Sequence, residues 1–305
     1  EALSGYMYET RGVHAAADNI VIGNGVTPLL RILGYILRNK HSRIAVEEPG
    51  FRLGREVFRS GGYEIVPLPL RDDGLDVDAL AQADTGLVYV TPSHQFPTGK
   101  VMPVGQRYKL LDWAVQEDGL IIEDDYDSEL RYEGRPIPAL QGLDRSDRVI
   151  YLGALSKVLP FFVRISYLVL PDPLMDMYRR ERSLFRQSAS VPEQCVLAEY
   201  IRSGEMRKQI RRLRRLYQEK GRKTEYLLQA YFGTAVEVSR VVSGVHCQIA
   251  FASPLSETEL TEAAKREGCL VLPMESFYEK HIDNGVRRFL LSFARIRTDM
   301  LEEAV

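Results

Sequence analysis

The strongest constraint on this chain is an alternation. Seven short runs rich in β-branched residues are NIVIG (19–23), SRIAVEE (42–48), YEIVPLPL (63–70), GLVYVTP (86–92), GLIIEDD (119–125), RVIYLGAL (148–155) and RISYLVLP (164–171). Amphipathic stretches such as PLLRILGYILRN and VGQRYKLLDWAVQED lie between many of them. Strand-like runs alternating with helix-like ones predict βαβ units and an α/β fold with a mainly parallel sheet. Ligands of such sheets bind beyond the carboxyl ends of the strands, so the loops after the runs are where chemistry is expected.

The character changes near Pro192. A long basic helical stretch, SGEMRKQIRRLRRLYQEKGRKTEYLLQAYF, is followed by the strand-like VHCQIAF, the helical SETELTEAAKREG, the strand-like CLVLP and RFLLSFARI. This order predicts a large domain over 1–205, then a linking helix and a small C-terminal α+β domain over 206–305. The long helix is expected to bury a stripe of Ile210, Leu213, Leu216 and Tyr217 and to expose its basic side. A chain of 305 residues is comfortable for two domains. The opening EALSGYMYETRGV and the closing TDMLEEAV both read as helix-like patterns cut part-way, so a fragment of something longer is expected.

The balance of charge excludes some partners. With a net charge of -2 nothing global draws the chain to nucleic acid or to an anionic membrane. No apolar run is long enough to span a bilayer. Cys195, Cys247 and Cys269 are far apart, with no CxxC pair and no histidine cluster. No structural metal site or disulfide framework is expected, and a cytoplasmic protein is.

Four loops can carry chemistry. In IGNGVTPLL, a strand ends in Gly23-Asn24-Gly25, and Thr27-Pro28 reads as a helix N-cap followed by proline at N1. Its free N–H groups suit a phosphate or carboxylate; the plainer account is a glycine turn. In LIIEDDYDSEL, a strand delivers Glu123, Asp124 and Asp125 together, then Tyr126. Three neighbouring acids repel unless something positive is near, a metal or a protonated pyridine nitrogen, or unless the loop is solvated. In VIYLGALSKVLPFFVRISYLVLP, apolar segments flank Ser156-Lys157, and Arg164 follows. Burying an ammonium is costly, a conflict that a Schiff-base lysine resolves and that a lysine reaching to solvent also resolves. In EEPGFRLG, Phe51 could stack on a flat ring and Arg52 could grip a carboxylate, or the pair could be loop packing. Together the loops offer an anion cradle, an aromatic plate, a carboxylate and a lysine on one sheet edge, which is the set that pyridoxal phosphate needs. His94, in the TPSHQ loop beside them, reads as a histidine with a structural hydrogen bond.

The order GNG, EEPGF, TPSHQFPTG, EDDYDSEL, SK and RISY resembles fold-type-I aminotransferases. TPSHQFPTGKVMP and IIEDDYDSELRYEGRPIPALQGLD are similar, more narrowly, to the MocR/GabR family of bacterial regulators of the GntR type. In these a winged helix-turn-helix domain precedes an aminotransferase-like domain. The resemblance runs from about Tyr6 to Ala294; the DNA-binding domain, its linker and the first part of the aminotransferase-like domain are expected to lie outside this sequence. It implies a fold-type-I pyridoxal-phosphate-dependent transferase-like fold and a homodimer. It implies Lys157 as the lysine of the internal aldimine, Asp124 on the pyridine nitrogen, and Tyr126 on the ring hydroxyl. Gly25, Val26 and Thr27 match the phosphate turn, Arg164 the phosphate arginine and Phe51 the stacking residue, with Ser156 among the cofactor contacts. Arg52 falls where such a regulator meets an amino-compound effector.

Several positions depart from the enzymes. The asparagine of their Asn-Pro-Thr-Gly motif is Phe96, and the hydroxyl residue three before the lysine is Ala154. Their carboxylate arginine aligns with Leu290, leaving Arg288 or Arg295 as substitutes, and the Pro-Gly before the phosphate arginine is replaced by Pro160-Phe161-Phe162. These changes weigh against efficient transamination more than against cofactor binding. The resemblance therefore implies an effector-sensing and dimerisation domain that recognises an amino compound by external aldimine formation. An active aminotransferase and a relic without cofactor are the alternatives.

Overall fold

The computed structural model describes residues 1–134, 137–160, 162–280 and 284–304, so Phe161 of the Pro160–Phe162 segment lies outside the described residues. All seven runs are strands of one eight-stranded sheet: β1 Ile20–Gly23, β2 Arg43–Glu48, β3 Glu64–Arg71, β5 Leu87–Val90, β6 Leu120–Asp125, β7 Val149–Ala154 and β8 Ser166–Val169, with a two-residue β4 at Gly74–Leu75. The spatial order is β1-β8-β7-β6-β5-β2-β3-β4. The pairs β2–β3, β2–β5, β5–β6 and β6–β7 are parallel. β8 runs antiparallel to both β7 and β1. No helix separates β7 from β8, and a connection that short cannot return the chain to the same end for a parallel pairing.

The central strands β5, β6 and β7 are buried along their whole length, as a sheet covered on both faces requires. One face packs Val46, Tyr89, Ile122 and Leu152 beneath the helices Val26–Leu37 and Arg52–Ser60. The other packs Val88, Val90 and Ile121 against the helix Val104–Gln116 through Leu110 and Trp113.

Residues 205–232 form the long basic helix. It bridges the large sheet to a four-stranded antiparallel sheet ordered β11-β12-β10-β9, made of β9 Glu237–Val238, β10 His246–Ala252, β11 Leu272–Pro273 and β12 Val286–Ser292. Its buried stripe is Met206, Ile210, Leu227 and Leu228, packed with Cys247 and Phe293. Leu213 and Tyr217 join that cluster only partly, and Leu216 is exposed, which corrects the expected stripe. Lys220, Gly221 and Thr224 extend the buried side through the helix's second half. Among the described residues no helix is long and apolar enough to cross a membrane, and no group of three metal-type side chains is present.

Candidate functional site

β1, β2, β5, β6 and β7 all point the same way, because β1 and β7 are each antiparallel to the β8 between them. One edge of the sheet therefore collects Gly25 after β1, Phe51 after β2, His94 after β5, Asp124 and Tyr126 at the end of β6, and Lys157 after β7. Arg164, just before β8, arrives at the same edge.

The pleat of β6 separates its three acids, since successive side chains point to opposite faces. Glu123 accepts from the N–H groups of Leu140 and Gln141, with Arg107 at 3.8 Å. Asp125 accepts from Arg11 Nε at 2.6 Å and from the Tyr151 hydroxyl at 2.7 Å. Burial alone would raise Asp125, but the Arg11 charge and these hydrogen bonds hold it below its ordinary value. Asp124 faces the other way. Its Oδ2 accepts from the Tyr89 hydroxyl and its buried Oδ1 has no partner. Burial, opposed by the Tyr89 bond and reinforced by Asp125, Asp127 and Glu47, pushes Asp124 up to about 7. A buried carboxylate with no cation and a spare oxygen suits a ligand N–H⁺.

The turn after β1 departs in detail from the sequence expectation. The helix N-cap is Gly25, not Thr27; Val26, Thr27 and Pro28 form the first turn. Gly25 adopts φ +133°, and a Cβ there would sit 2.9 Å from Arg164 Nη2. Only glycine satisfies that backbone and leaves room for the guanidinium. Arg164 Nε donates to the Asn24 carbonyl at 3.3 Å, so the arginine closes over the turn while Val26 and Thr27 present helix N-terminal N–H groups.

Lys157 is exposed, in a turn between Ala154 and Ser166. The expectation of a buried lysine is corrected: Leu155 and Val158 of the same turn are buried, but the Lys157 side chain between them is exposed. Its charge nevertheless reaches the cleft. Burial, His94 and Lys157 together push His246 down to about 3. Ser156 is exposed beside it.

Phe96 lies among the aromatic side chains of this edge. Its ring meets Phe51, Tyr126, His246 and Phe277 edge-on, with centroids 5.1–6.1 Å apart. It also packs against the cluster of Met274, Phe277 and Leu290. The two departures at Phe96 and Leu290 are thus in one apolar contact that joins the small sheet to this edge of the large one. Gln248 of β10 adds a hydrogen bond to the Pro97 carbonyl at 2.9 Å.

Phe51 lies 6.4 Å from Tyr89, nearly parallel to it. Its loop is latched to the small domain. Gly50 N donates to the Phe277 carbonyl, Arg55 donates to the Phe277 and Tyr278 carbonyls, and Glu48 Oε1 accepts from the N–H groups of Glu279 and Lys280. Arg52 opens the helix Arg52–Ser60 beside Phe51 and is exposed. Arg295 is exposed beyond the end of β12. Arg288 is half-buried near Tyr278.

Sequence reasoning missed Tyr89, Glu47, Asp127 and His246. Tyr89 is opposite Ile122 in the β5–β6 register, one pleat from Asp124 on the same face. A tyrosine inside LVYV was the available signal. Glu47, buried and bonded by Thr91 and Gln95, is pushed up to about 7 by burial.

The Aminotransferase class I and II family profile matches residues 1–305. The chain is 38% identical over 300 residues to the uncharacterized HTH-type transcriptional regulator YdeL of Bacillus subtilis, covering 98% of this chain and 64% of that protein. It is 32% identical over 305 residues to the probable rhizopine catabolism regulatory protein MocR of Rhizobium meliloti, covering all of this chain and 61% of that one. The chain thus spans somewhat under two thirds of these regulators. The kynurenine aminotransferase of Pyrococcus horikoshii, solved in complex with PMP, superposes with a TM-score of 0.88 at 25% identity, over 99% of this chain and 76% of that one. The sheet, the small antiparallel domain and the full-length match lead to one assignment: this chain is a fold-type-I member of the pyridoxal-phosphate-dependent class I and II aminotransferase family, of the aminotransferase-like kind found in MocR-type HTH regulators.

Proposed function

We propose that this chain is the pyridoxal-phosphate-binding, effector-sensing and dimerisation part of a cytoplasmic bacterial transcription regulator. Residues 1–205 carry the cofactor, and 206–305 supply the linking helix and the small domain that closes on it. DNA is contacted by a winged-helix domain outside this chain, and the assembly is a homodimer. The observation that carries the cofactor reading is Asp124, buried at the sheet edge with no cation and one oxygen without a partner. The regulator reading is supported by the similarity to HTH-type regulators over the whole chain.

When bound, the cofactor supplies an aldehyde carbon that captures a primary amine and a ring that draws electrons from it. The chain's own residues do the rest. Asp124 holds a proton on the ring nitrogen, and Tyr126 holds the ring oxygen. The Gly25–Thr27 turn and Arg164 bind the phosphate, Phe51 covers the ring, and Ser156 lines the turn that carries Lys157. Lys157 would hold the cofactor through its side-chain amine, the group that an effector amine would replace. Arg52 and Arg295 are the cations proposed to meet an effector carboxylate. The apolar contact of Phe96 with Phe277 and Leu290 favours sensing over turnover, because a group that must be reoriented during transamination has no polar partner there.

The test is to load the protein with pyridoxal phosphate and titrate it with γ-amino acids, D-amino acids and dipeptides while recording the visible absorbance band. The expected result is a band absent from Lys157→Ala and shifted by one amine class, with no sustained keto-acid production. A wild-type protein without the band overturns the cofactor reading. Steady turnover with any donor and keto-acid pair overturns the sensor reading in favour of an aminotransferase.

A further inference from the structure

The cleft holds a polar chain that the cofactor contacts above do not use. His94 is buried, with Nδ1 2.8 Å from Asp127 Oδ2 and 3.0 Å from the Tyr126 hydroxyl. Its ring lies between Tyr126 and His246, nearly parallel to both, at centroid distances of 5.9 and 5.3 Å. Two glycines in the left-handed region enclose it. A Cβ on Gly99, at φ +74°, would sit 3.3 Å from His94 Nε2. One on Gly244, at φ +73°, would sit 2.6 Å from His94 Cε1 and 2.7 Å from Asp127 Oδ2. Gly99 belongs to the turn before the helix Val104–Gln116, and Gly244 to the loop entering β10. That loop is pinned to the large domain by Gly244 N donating to the Leu130 carbonyl and by the Tyr132 hydroxyl donating to the Gly244 carbonyl.

One nitrogen faces both a buried carboxylate and a phenol. With the proton on Nδ1 directed at Asp127, no lone pair remains there to accept from Tyr126. The phenol oxygen then accepts a share of that N–H, and its own proton is directed away from His94.

Resting on the cofactor reading above, we infer that His94, oriented by Asp127, is the positioning residue that aims the Tyr126 hydroxyl proton at the ring oxygen of the cofactor. Phe96 leaves this task without an amide helper, and His94 takes it up from the neighbouring strand end. The chain is complete only when the small domain is seated, because Gly244 and His246 form its outer wall. The charged groups acting on Tyr126 are Asp127, Asp124, Glu47 and Asp125. His246 faces the His94 ring from β10, and Lys157 on the turn after β7 acts on His246 in turn.

The readout is the pH midpoint of the visible band of the cofactor-loaded protein. A donor to the ring oxygen stabilises its anionic form, so the nitrogen joining Lys157 to the cofactor loses its proton at lower pH. Loss of the donor moves the midpoint up. Tyr126→Phe and His94→Phe are each expected to raise it, by roughly one pH unit or a tenfold change in proton affinity. The double variant is expected to go no further than Tyr126→Phe alone. Additive shifts, or a midpoint unmoved in His94→Phe but moved in Tyr126→Phe, overturn the inference and leave the cofactor reading intact. Should His94→Phe fail to fold, Asp127→Asn is expected to shift the midpoint in the same direction, and an unchanged midpoint there overturns the inference. A wild-type protein lacking the Lys157-dependent band fails the cofactor reading, and this inference with it.

Discussion

The two faces of β6 treat buried carboxylates in opposite ways. On one face, Glu123 and Asp125 are set against Arg107 and Arg11, each cation delivered by a different helix. On the other, Asp124 sits one residue away with a phenol donor, three acids in its surroundings and no cation. Both faces are buried, so solvent does not account for the difference. The first face has its charges matched by cations as folded, although Asp125 Oδ1 also lacks a partner. The second is matched only when a positive group arrives, and the chain tolerates it empty because a carboxyl pushed up to about 7 can stay protonated there.

The contrast breaks most readily on the matched face. Arg11→Ala strips the cation from Asp125 in a nearly dry environment and is expected to cost about 3–5 kcal/mol, read as a lowered denaturation midpoint. Asp124→Asn, by comparison, is expected to leave the stability of the cofactor-free protein unchanged or improved. Its effect is on binding: loss of a charge-assisted hydrogen bond worth about 1.5–3 kcal/mol weakens pyridoxal phosphate roughly ten- to a hundredfold by equilibrium titration. An Asp124→Asn protein as unstable as Arg11→Ala would erase the distinction.

Gly25→Ala sharpens the comparison at the phosphate turn. The added Cβ has a forbidden φ and meets Arg164 Nη2, so a loss of about 1–2 kcal/mol in stability is expected, together with weaker competition by inorganic phosphate for the cofactor site.

The last prediction concerns the pH profile, where many small contributions add. Asp124, Glu47, Glu123 and Glu129 are each pushed up to about 7 by burial, from ordinary values near 4. Between those limits the folded protein holds protons that the unfolded chain has released, so stability falls as pH rises from about 4.5 to 7, by at most about 1.4 kcal/mol per group and pH unit. Asp125 works in the opposite sense: its contribution is present above its unfolded value and is lost as pH falls through the folded one. Thermal midpoints from pH 5 to 7.5 are expected to decline in the cofactor-free protein. Bound cofactor keeps Asp124 ionised and flattens part of that slope.

The fold was legible because the seven β-branched runs are all strands, most of them largely buried, with few competing readings. The direction of β8 was not read, although the absence of a helical stretch between RVIYLGAL and RISYLVLP contains it. β4, β9 and β11, at two residues each, are set by what they pair with and leave no pattern of their own. The placement of Gly25, Phe51, Asp124, Tyr126, Lys157 and Arg164 on one sheet edge was legible because each lies at or next to a strand end. Tyr89, the partner of Asp124, and His246, which stacks on His94, were not, because both sit in strands whose facing depends on register. Lys157 was misjudged because buried apolar neighbours do not bury a side chain that faces away from them: Leu155 and Val158 are buried while Lys157 is exposed.

Glu48 has a mechanical consequence. Its one carboxylate ties the end of β2 to the backbone of Glu279 and Lys280 and lies against Arg55, which itself grips the carbonyls of Phe277 and Tyr278. Phe51 stands between these anchors in the chain. A shift of its ring by the width of an atom is therefore carried to the small sheet as by a crank on a common shaft, and a tilt of that sheet turns the ring in return.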